Sequence, residues 1–145
     1  MTKEMVLKQI GVVKSPYKEP TFDRLNLKDI FAEIVVNQDL KEALDGLEGF
    51  SHIIVLYWLH KAKPTAEMKT FPMGRQDVPK QGLFAVRTTR RPNPIGKTTV
   101  RLLSREGNVL KVQGLDAIDG SPVIDIKCYI PGAVSDVRVP DWVGE

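Results

Sequence analysis

The sequence has very little of what disulfides, metal sites and membrane spans require. Cys128 is the only cysteine among 145 residues, so no internal disulfide can form. His52 and His60 are the only histidines, so we expect no zinc site. No apolar run approaches the about 20 residues that cross a bilayer, and the first residues lack the layout of a signal peptide. We therefore expect a cytoplasmic protein that holds no metal and does not associate with membranes.

The common catalytic signatures are also missing. Gly-x-Ser-x-Gly, His-Glu-x-x-His and Gly-x-x-x-x-Gly-Lys-Ser/Thr do not occur, and no glycine-rich Rossmann turn is present. This disfavours Ser-His hydrolysis and metal catalysis. The composition, 42% hydrophobic and 27% charged, is that of an ordinary globular protein. The length predicts a single domain over residues 1–145.

Short apolar segments separated by proline and glycine predict an all-β fold. We expect strands at 5–13, 30–36, 50–59, 82–86, 98–104, 109–115 and 124–130. A short helix over 39–44, capped by Asn37, is predicted between the second and third strands. The run 50–59 is apolar enough for a strand buried on both faces, with Trp58 in the core. About seven strands and one short helix predict a single compact β-barrel or sandwich.

The connections are predicted from their turn residues. Asp119-Gly120 indicates a hairpin over 116–122, and 18–29 and 62–81 are expected to be loops. In the last strand, Ile124, Ile126, Cys128 and Ile130 alternate with polar residues, which places Cys128 on the apolar face. His52 is expected in the core or at an interface, whereas His60 lies at a strand end beside a long loop.

A stiff basic loop joins the predicted strands at 82–86 and 98–104. Its three arginines, Arg87, Arg90 and Arg91, surround Asn93, which is held extended between two prolines. Guanidinium groups suit carboxylates and phosphates. Residues 87–105 contain no acid, so the segment fits a polyanion. The alternative is a surface turn with solvated arginines.

Two further polar clusters stand out. Asp116 and Asp119 flank the Asp-Gly turn, where the simplest role is local hydrogen bonding to the backbone. Asp125, Lys127 and Tyr129 share one face of the last strand, which is either a solvated outer face or part of a site.

Taken together, these motifs resemble those of the TrmO family of tRNA methyltransferases, also described as TsaA-like. The matching segments are residues 10–18, 46–52, 82–87, 91–96 and 115–127. The Arg-Pro-Asn-Pro-Ile-Gly sequence and the Asp-Gly-Ser-Pro-Val-Ile-Asp-Ile-Lys sequence are specific in combination. The chain departs from the family pattern in residues 19–29, at Thr88-Thr89, at Lys97 and at Cys128.

The resemblance implies a β-barrel that works as a homodimer with S-adenosylmethionine as methyl donor. It implies methylation of N6 of N6-threonylcarbamoyladenosine at position 37, in the anticodon loop of tRNA. Cofactor contacts are then expected at His60, Lys61, Arg87, Lys97, Asp116, Ala117, Ile118 and Asp119. For tRNA we expect Arg90, Arg91, Asn93, Arg101 and Lys127, and for a general base Asp125 or Tyr129. The alternative is a barrel that binds RNA or S-adenosylmethionine without catalysis.

Overall fold

The computed structural model describes residues 2–19, 26–132 and 134–143. Its strands are β1 (Gly11–Lys14), β2 (Phe31–Val36), β3 (His52–Trp58), β4 (Lys69–Thr70), β5 (Gln81–Gly82), β6 (Ile95–Glu106), β7 (Val109–Gln113) and β8 (Pro122–Cys128). Short 3₁₀ helices lie at Leu27–Asp29, Gln38–Leu44, Leu47–Gly49, Pro72–Gly74, Leu83–Ala85 and Asp141–Val143. Most of the divergent segment 19–29 lies outside the described residues.

Six of the strands close into an antiparallel barrel. Their order around it is β1-β2-β7-β6-β3-β8, while β4 and β5 form a separate two-stranded sheet. Closure leaves no unpaired strand edge in the barrel. The predicted all-β barrel is confirmed, with six strands in the barrel and two outside it.

The barrel interior is filled by alternate residues of each strand, as a one-sided sheet requires. Its most deeply buried side chains are Val13, Ile34, Ile53, Val55, Val100, Leu110, Val112 and Val123. These residues are mostly β-branched, which suits a pleated surface.

The strand β3 has one core face, not the two predicted from its apolar run. Ile53, Val55 and Tyr57 are buried, whereas Leu56 and Trp58 point outward and are half-buried. The prediction of Trp58 as a core residue was therefore wrong. The apolar run is continuous because both sides of this strand are at least partly covered.

Several predicted boundaries also differ. Residues 5–10 lie outside β1, and Val6 is 98% exposed. The predicted strand 82–86 is mostly the 3₁₀ turn Leu83–Ala85. The helix after β2 is a 3₁₀ helix, and the Asn37 amide donates to the Gln9 carbonyl instead of capping it.

The segment between β7 and β8 is not a hairpin. These strands are not neighbours in the barrel, so residues 114–121 cross one end of it, with Gly120 in the left-handed region at φ 85°. The predicted alternation in β8 is broken as well. A bulge opposite Leu56 and Tyr57 makes Val123, not Ile124, the buried residue, while Cys128 is half-buried opposite Ile53.

The helices of the described ranges are all short, and none of them is long and apolar enough to cross a membrane. Within the same ranges, no group of three or more His, Cys, Asp or Glu side chains could hold a metal ion.

Candidate functional site

The loop 114–121 closes the end of the barrel at which β3 ends and β8 begins. Leu115, Ala117 and Ile118 are buried in it. The carboxylate of Asp116 points into the barrel, where its Oδ1 accepts hydrogen bonds from the Tyr57 hydroxyl at 2.7 Å and from Thr98 Oγ1 at 2.6 Å. The loop is thereby attached to the barrel wall at its centre.

Tyr57 fits this position because β6 carries a glycine beside it. A side-chain carbon at Gly96 would lie 2.6 Å from Tyr57 Cζ, closer than atoms can approach. Burial of the ring and the negative charge of Asp116 both raise the pKa of Tyr57. The hydroxyl therefore stays protonated and donates to Asp116.

Asp119 connects the same loop to the chain that follows β1. Its Oδ1 accepts from the backbone N–H of Ser15 at 2.9 Å, and its Oδ2 lies 3.0 Å from Lys18 Nζ. The Ser15 N–H and then Lys18 hold the pKa of Asp119 below its usual value. Asp119 is therefore an anion at neutral pH. The simple interpretation, in which Asp119 accepts only local backbone hydrogen bonds, was wrong, because its partners Ser15 and Lys18 lie 104 and 101 residues away in the sequence.

His60 and Lys61 lie against this loop, at the end of β3. A side-chain carbon at Gly120 would be 3.8 Å from His60 Nε2. Lys61 Nζ pairs with Glu19 at 3.1 Å and contacts the carbonyl of Lys18 at 3.3 Å. We call Ser15, Lys18, His60, Lys61 and the loop 114–121 the barrel-end cluster.

Within the described part of the chain, three successive backbone donors of this cluster have no protein acceptor: the N–H groups of Asp116, Ala117 and Ile118. On the C-terminal side the next N–H groups are paired, since Asp119 donates to Tyr17 and Gly120 donates to Val13, whereas on the N-terminal side the Leu115 N–H also has no acceptor in the described ranges. These N–H groups can therefore donate to water or to an acceptor of a ligand.

The basic loop lies beside the barrel-end cluster. Leu59 N–H donates to the Pro94 carbonyl at 2.7 Å, directly before His60. Arg91 Nη1 holds the loop together by donating to the carbonyls of Leu83, Val86 and Thr88 at 2.9–3.3 Å, with its guanidinium 5.8 Å from the Phe84 ring centre.

Other side chains of the basic loop remain available. Arg87, Arg90 and Asn93 are exposed, and their side chains have no hydrogen-bond or ion-pair partner in the described ranges. Arg91 thus has a structural task, whereas Arg87 and Arg90 can meet a ligand.

The remaining predicted residues lie on the outer face of β6, β3 and β8. The strand pairing arranges this face in three rows, which we call the outer-face grid: Lys97–Leu56–Asp125, Thr99–Ile54–Lys127 and Arg101–His52–Tyr129. Lys127 Nζ binds Asp125 Oδ2 at 2.9 Å, which raises the pKa of Lys127. The Tyr129 ring stands edge-on to His52 at 6.3 Å.

The structure therefore separates the predicted residues into two surfaces. His60, Lys61 and residues 116–119 meet at the barrel end. The row that contains Arg101 and Tyr129 lies at the opposite end of β3, about 20 Å away at roughly 3.3 Å per residue. Within one chain, Tyr129 is not brought to the barrel-end cluster.

An open groove of about 820 Å³ begins at Asp119 and Lys18 and runs over the outer face of β1, β2 and β7. Lys14, Glu33 and Lys111 line it farther along. The groove gives the barrel-end cluster access to solvent.

Sequence reasoning missed four residues of the barrel end: Ser15, Lys18, Tyr57 and Thr98. The first two belong to the Ser-Pro-Tyr-Lys segment, whose proximity to Asp119 depends on the barrel closing. Tyr57 was hidden within an apolar run, although a tyrosine there needs a buried hydrogen-bond partner.

Fold and site together define a small closed β-barrel with a loop across one end whose backbone donors at 116–118 are unpaired within the described ranges. Residues 12–135 match the family described as tRNA-methyltransferase O N-terminal domain. The chain belongs to this family.

Relatives from archaea and bacteria agree with this assignment. An S-adenosyl-L-methionine-binding protein of Archaeoglobus fulgidus is 45% identical over 131 residues, which cover 88% of this chain and 91% of the relative. The tRNA (adenine(37)-N6)-methyltransferase of Escherichia coli is 37% identical over 142 residues, covering 88% of this chain and 58% of the relative. The chain also matches 33% of a longer A. fulgidus relative, a probable S-adenosyl-L-methionine-binding protein, so it spans only part of several of these proteins.

Solved structures agree as well. A crystal structure of TrmO from Pseudomonas aeruginosa superposes with a TM-score of 0.76 at 31% identity. The superposition covers 98% of this chain and 63% of that chain.

Proposed function

We propose that this protein is an S-adenosylmethionine-dependent tRNA methyltransferase. The observation that carries the proposal is the unpaired set of N–H groups at Asp116, Ala117 and Ile118, in a chain that belongs to a tRNA methyltransferase family. The names of the E. coli and A. fulgidus relatives supply the reaction and the cofactor.

The chemistry of the barrel-end cluster fits the cofactor. Ring nitrogens of an adenine are acceptors, and the three backbone donors at 116–118 supply the matching N–H groups. Asp119 is ionised and part-exposed, so it can accept from ribose hydroxyls. The unpaired guanidinium of Arg87 suits the carboxylate of the methionine part, and His60 and Lys61 border the same space.

S-adenosylmethionine supplies the electrophilic methyl group. The protein has to hold the acceptor nitrogen in line with that group, and such positioning can provide much of the rate enhancement. Asp116 serves this purpose indirectly, because its hydrogen bonds to Tyr57 and Thr98 fix the loop that carries the backbone donors.

The proposed acceptor is N6 of N6-threonylcarbamoyladenosine at position 37 of tRNA. The carbamoyl group eases loss of the N6 proton, so a modest general base suffices. Of the two predicted bases, Asp125 lies in the row of the outer-face grid nearest to His60, whereas Tyr129 lies in the most distant row. Lys97, at the other end of the Asp125 row, stays a proposed cofactor contact, and Arg90, Arg91 and Asn93 stay proposed tRNA contacts.

Calorimetric titration with S-adenosylmethionine and S-adenosylhomocysteine tests the cofactor assignment. We expect micromolar binding near one ligand per chain, followed by methyl transfer to tRNA that bears the threonylcarbamoyl group. Folded protein that binds neither compound, alone or with tRNA, would contradict the proposal. The Arg87→Gln variant should lose affinity for both compounds. If it instead binds both normally and loses only methyl transfer, Arg87 contacts the tRNA and not the cofactor.

A second candidate is a barrel that binds S-adenosylmethionine without transferring its methyl group. The name of the A. fulgidus relative, which this chain matches over 91% of its length, favours it. It predicts calorimetric binding with no methylated product on any tRNA. The homodimer and the cytoplasmic location stay predictions, to be checked by sedimentation and by cell fractionation.

A further inference from the structure

The outer-face grid ends in a row of residues that lies far from the proposed cofactor site and contains Arg101, which was expected to contact tRNA, and Tyr129, one of the two predicted bases. Arg101, His52 and Tyr129 lie side by side across β6, β3 and β8, about 20 Å from the barrel-end cluster. We propose that this row is a docking site for the RNA substrate, with Arg101 on a phosphate and Tyr129 against a base. The proposal rests on the proposed function and extends it to a second contact surface.

The direction of these side chains follows from the barrel register. Gly96, Thr98 and Val100 of β6 pair with the inward residues Tyr57, Val55 and Ile53. Because side chains alternate along a strand, Lys97 and Arg101 must point outward. Both are exposed.

The charge of the grid favours a polyanion. Asp125 is its only acid, and it is neutralised by Lys127 at 2.9 Å. Lys97 and Arg101 have no ion-pair partner in the ranges that the structure describes. Two free cations therefore lie on β6 about 13 Å apart, at roughly 3.3 Å per residue. The basic loop that leads into β6 adds two exposed arginines, Arg87 and Arg90, and its Pro94 carbonyl lies 2.7 Å from the Leu59 N–H at the barrel end.

The aromatic part of the row favours RNA over a simple anion. Tyr129 is 42% exposed, and its ring is braced edge-on by His52, whose Nδ1 in turn lies 2.7 Å from Ser51 Oγ. An exposed aromatic ring can stack on an unpaired base while an arginine two strands away, across His52, holds the RNA backbone.

The test measures the affinity of a fluorescent anticodon stem-loop RNA for the full chain, without cofactor, over a series of salt concentrations. Arg101→Gln should weaken binding about 3- to 10-fold and reduce the slope of log affinity against log salt by about 0.7–0.9. Arg138→Gln removes an exposed charge from the tail and is the matched control. Equal losses in both variants would overturn the proposal.

Tyr129 is tested by a pair of substitutions. Tyr129→Ala should lose about 5- to 100-fold in RNA affinity, whereas Tyr129→Phe keeps the ring and should bind like the original protein. If Tyr129→Phe instead lowers the methylation rate at saturating RNA without changing affinity, the hydroxyl acts in the reaction and the docking role is wrong.

Two control measurements complete the design. Sedimentation of Arg101→Gln and Tyr129→Ala should show the original oligomeric state, because a changed state would make this face an interface between copies and overturn the proposal. Calorimetry with S-adenosylmethionine should be unchanged in both variants. Loss of RNA affinity with intact cofactor binding thus supports the docking proposal. Unchanged RNA affinity with intact cofactor binding would overturn the docking proposal alone, whereas loss of cofactor binding in the original protein would contradict the methyltransferase assignment.

Discussion

The hydroxyl of Tyr57 donates a 2.7 Å hydrogen bond to Oδ1 of Asp116, which joins the inside of the barrel to the loop across its end. Tyr57 is only 3% exposed, so water cannot replace this partner. The loop carries the backbone donors of the proposed cofactor site. The position of the loop at the proposed cofactor site therefore depends on Tyr57, a residue of the barrel core.

Tyr57→Phe should destabilise the protein by about 1–2 kcal/mol, because a part-buried carboxylate loses one of its two donors. Urea unfolding measures this change as a lower midpoint. Tyr129→Phe removes a hydroxyl from an exposed ring and should stay within about 0.5 kcal/mol. Similar losses in both variants would show that the Tyr57 bond does not stabilise the fold.

Gly96→Ala should destabilise the fold more than the addition of a single methyl group suggests. The added carbon would lie 2.6 Å from Cζ and 2.7 Å from Cε2 of Tyr57, and Asp116 prevents the ring from moving away. We expect a loss of about 1–3 kcal/mol or more in the free energy of unfolding and weaker S-adenosylmethionine binding.

Gly82→Ala is the control for Gly96→Ala, because nothing lies within 4 Å of its side-chain position and its φ is negative. A fully stable Gly96→Ala variant would show that Tyr57 can shift without cost.

The barrel could be predicted from the sequence because its strands are short apolar segments bounded by turn residues. The path of the loop 114–121 across the end of the barrel could not be predicted. Asp119-Gly120 is a strong local hairpin signal, yet β7 and β8 pair with other strands, and only barrel closure decides this. The role of Tyr57 was hidden for the same reason, since its partners Thr98 and Asp116 are 41 and 59 residues away.

Only part of the outer-face grid could be predicted from the sequence. The period of two correctly placed Asp125, Lys127 and Tyr129 together, because alternation is a local property of a strand. Their position opposite Arg101 and Lys97 depends on the register of β3 between β6 and β8, which no local pattern encodes.

Arg91→Lys should loosen the basic loop without unfolding the barrel. A lysine ammonium lacks the planar fork with which Arg91 lies over Phe84 while it donates to Leu83, Val86 and Thr88. We expect faster amide hydrogen exchange at residues 83–91 and an unchanged midpoint of global unfolding.

Arg90→Lys is the matched control for Arg91→Lys, since the Arg90 side chain has no partner in the described ranges. Its exchange should equal that of the original protein. Unchanged exchange in Arg91→Lys would mean that the prolines alone hold the loop.

Asp119 should make the protein sensitive to acid. The Ser15 N–H and Lys18 lower its pKa from the ordinary 3.8 in the folded state, so the ionised carboxylate stabilises the fold. This stabilisation is fully present above the unfolded pKa and is lost as the pH falls through the lower folded pKa. Asp119→Asn should therefore be less stable than the original protein at pH 7, and the difference should shrink as the pH falls below about 3.8.

Urea unfolding at pH 7 and in steps below pH 4 measures that difference. Asp77, whose pKa is lowered by Arg75, remains in both proteins and contributes equally to their acid sensitivity. Asp136→Asn is the control, because Asp136 is exposed, has no ion pair in the described part of the chain, and its φ of 56° also suits asparagine. Parallel pH profiles for Asp119→Asn and the original protein would mean that the loop 114–121 is held by Asp116 alone.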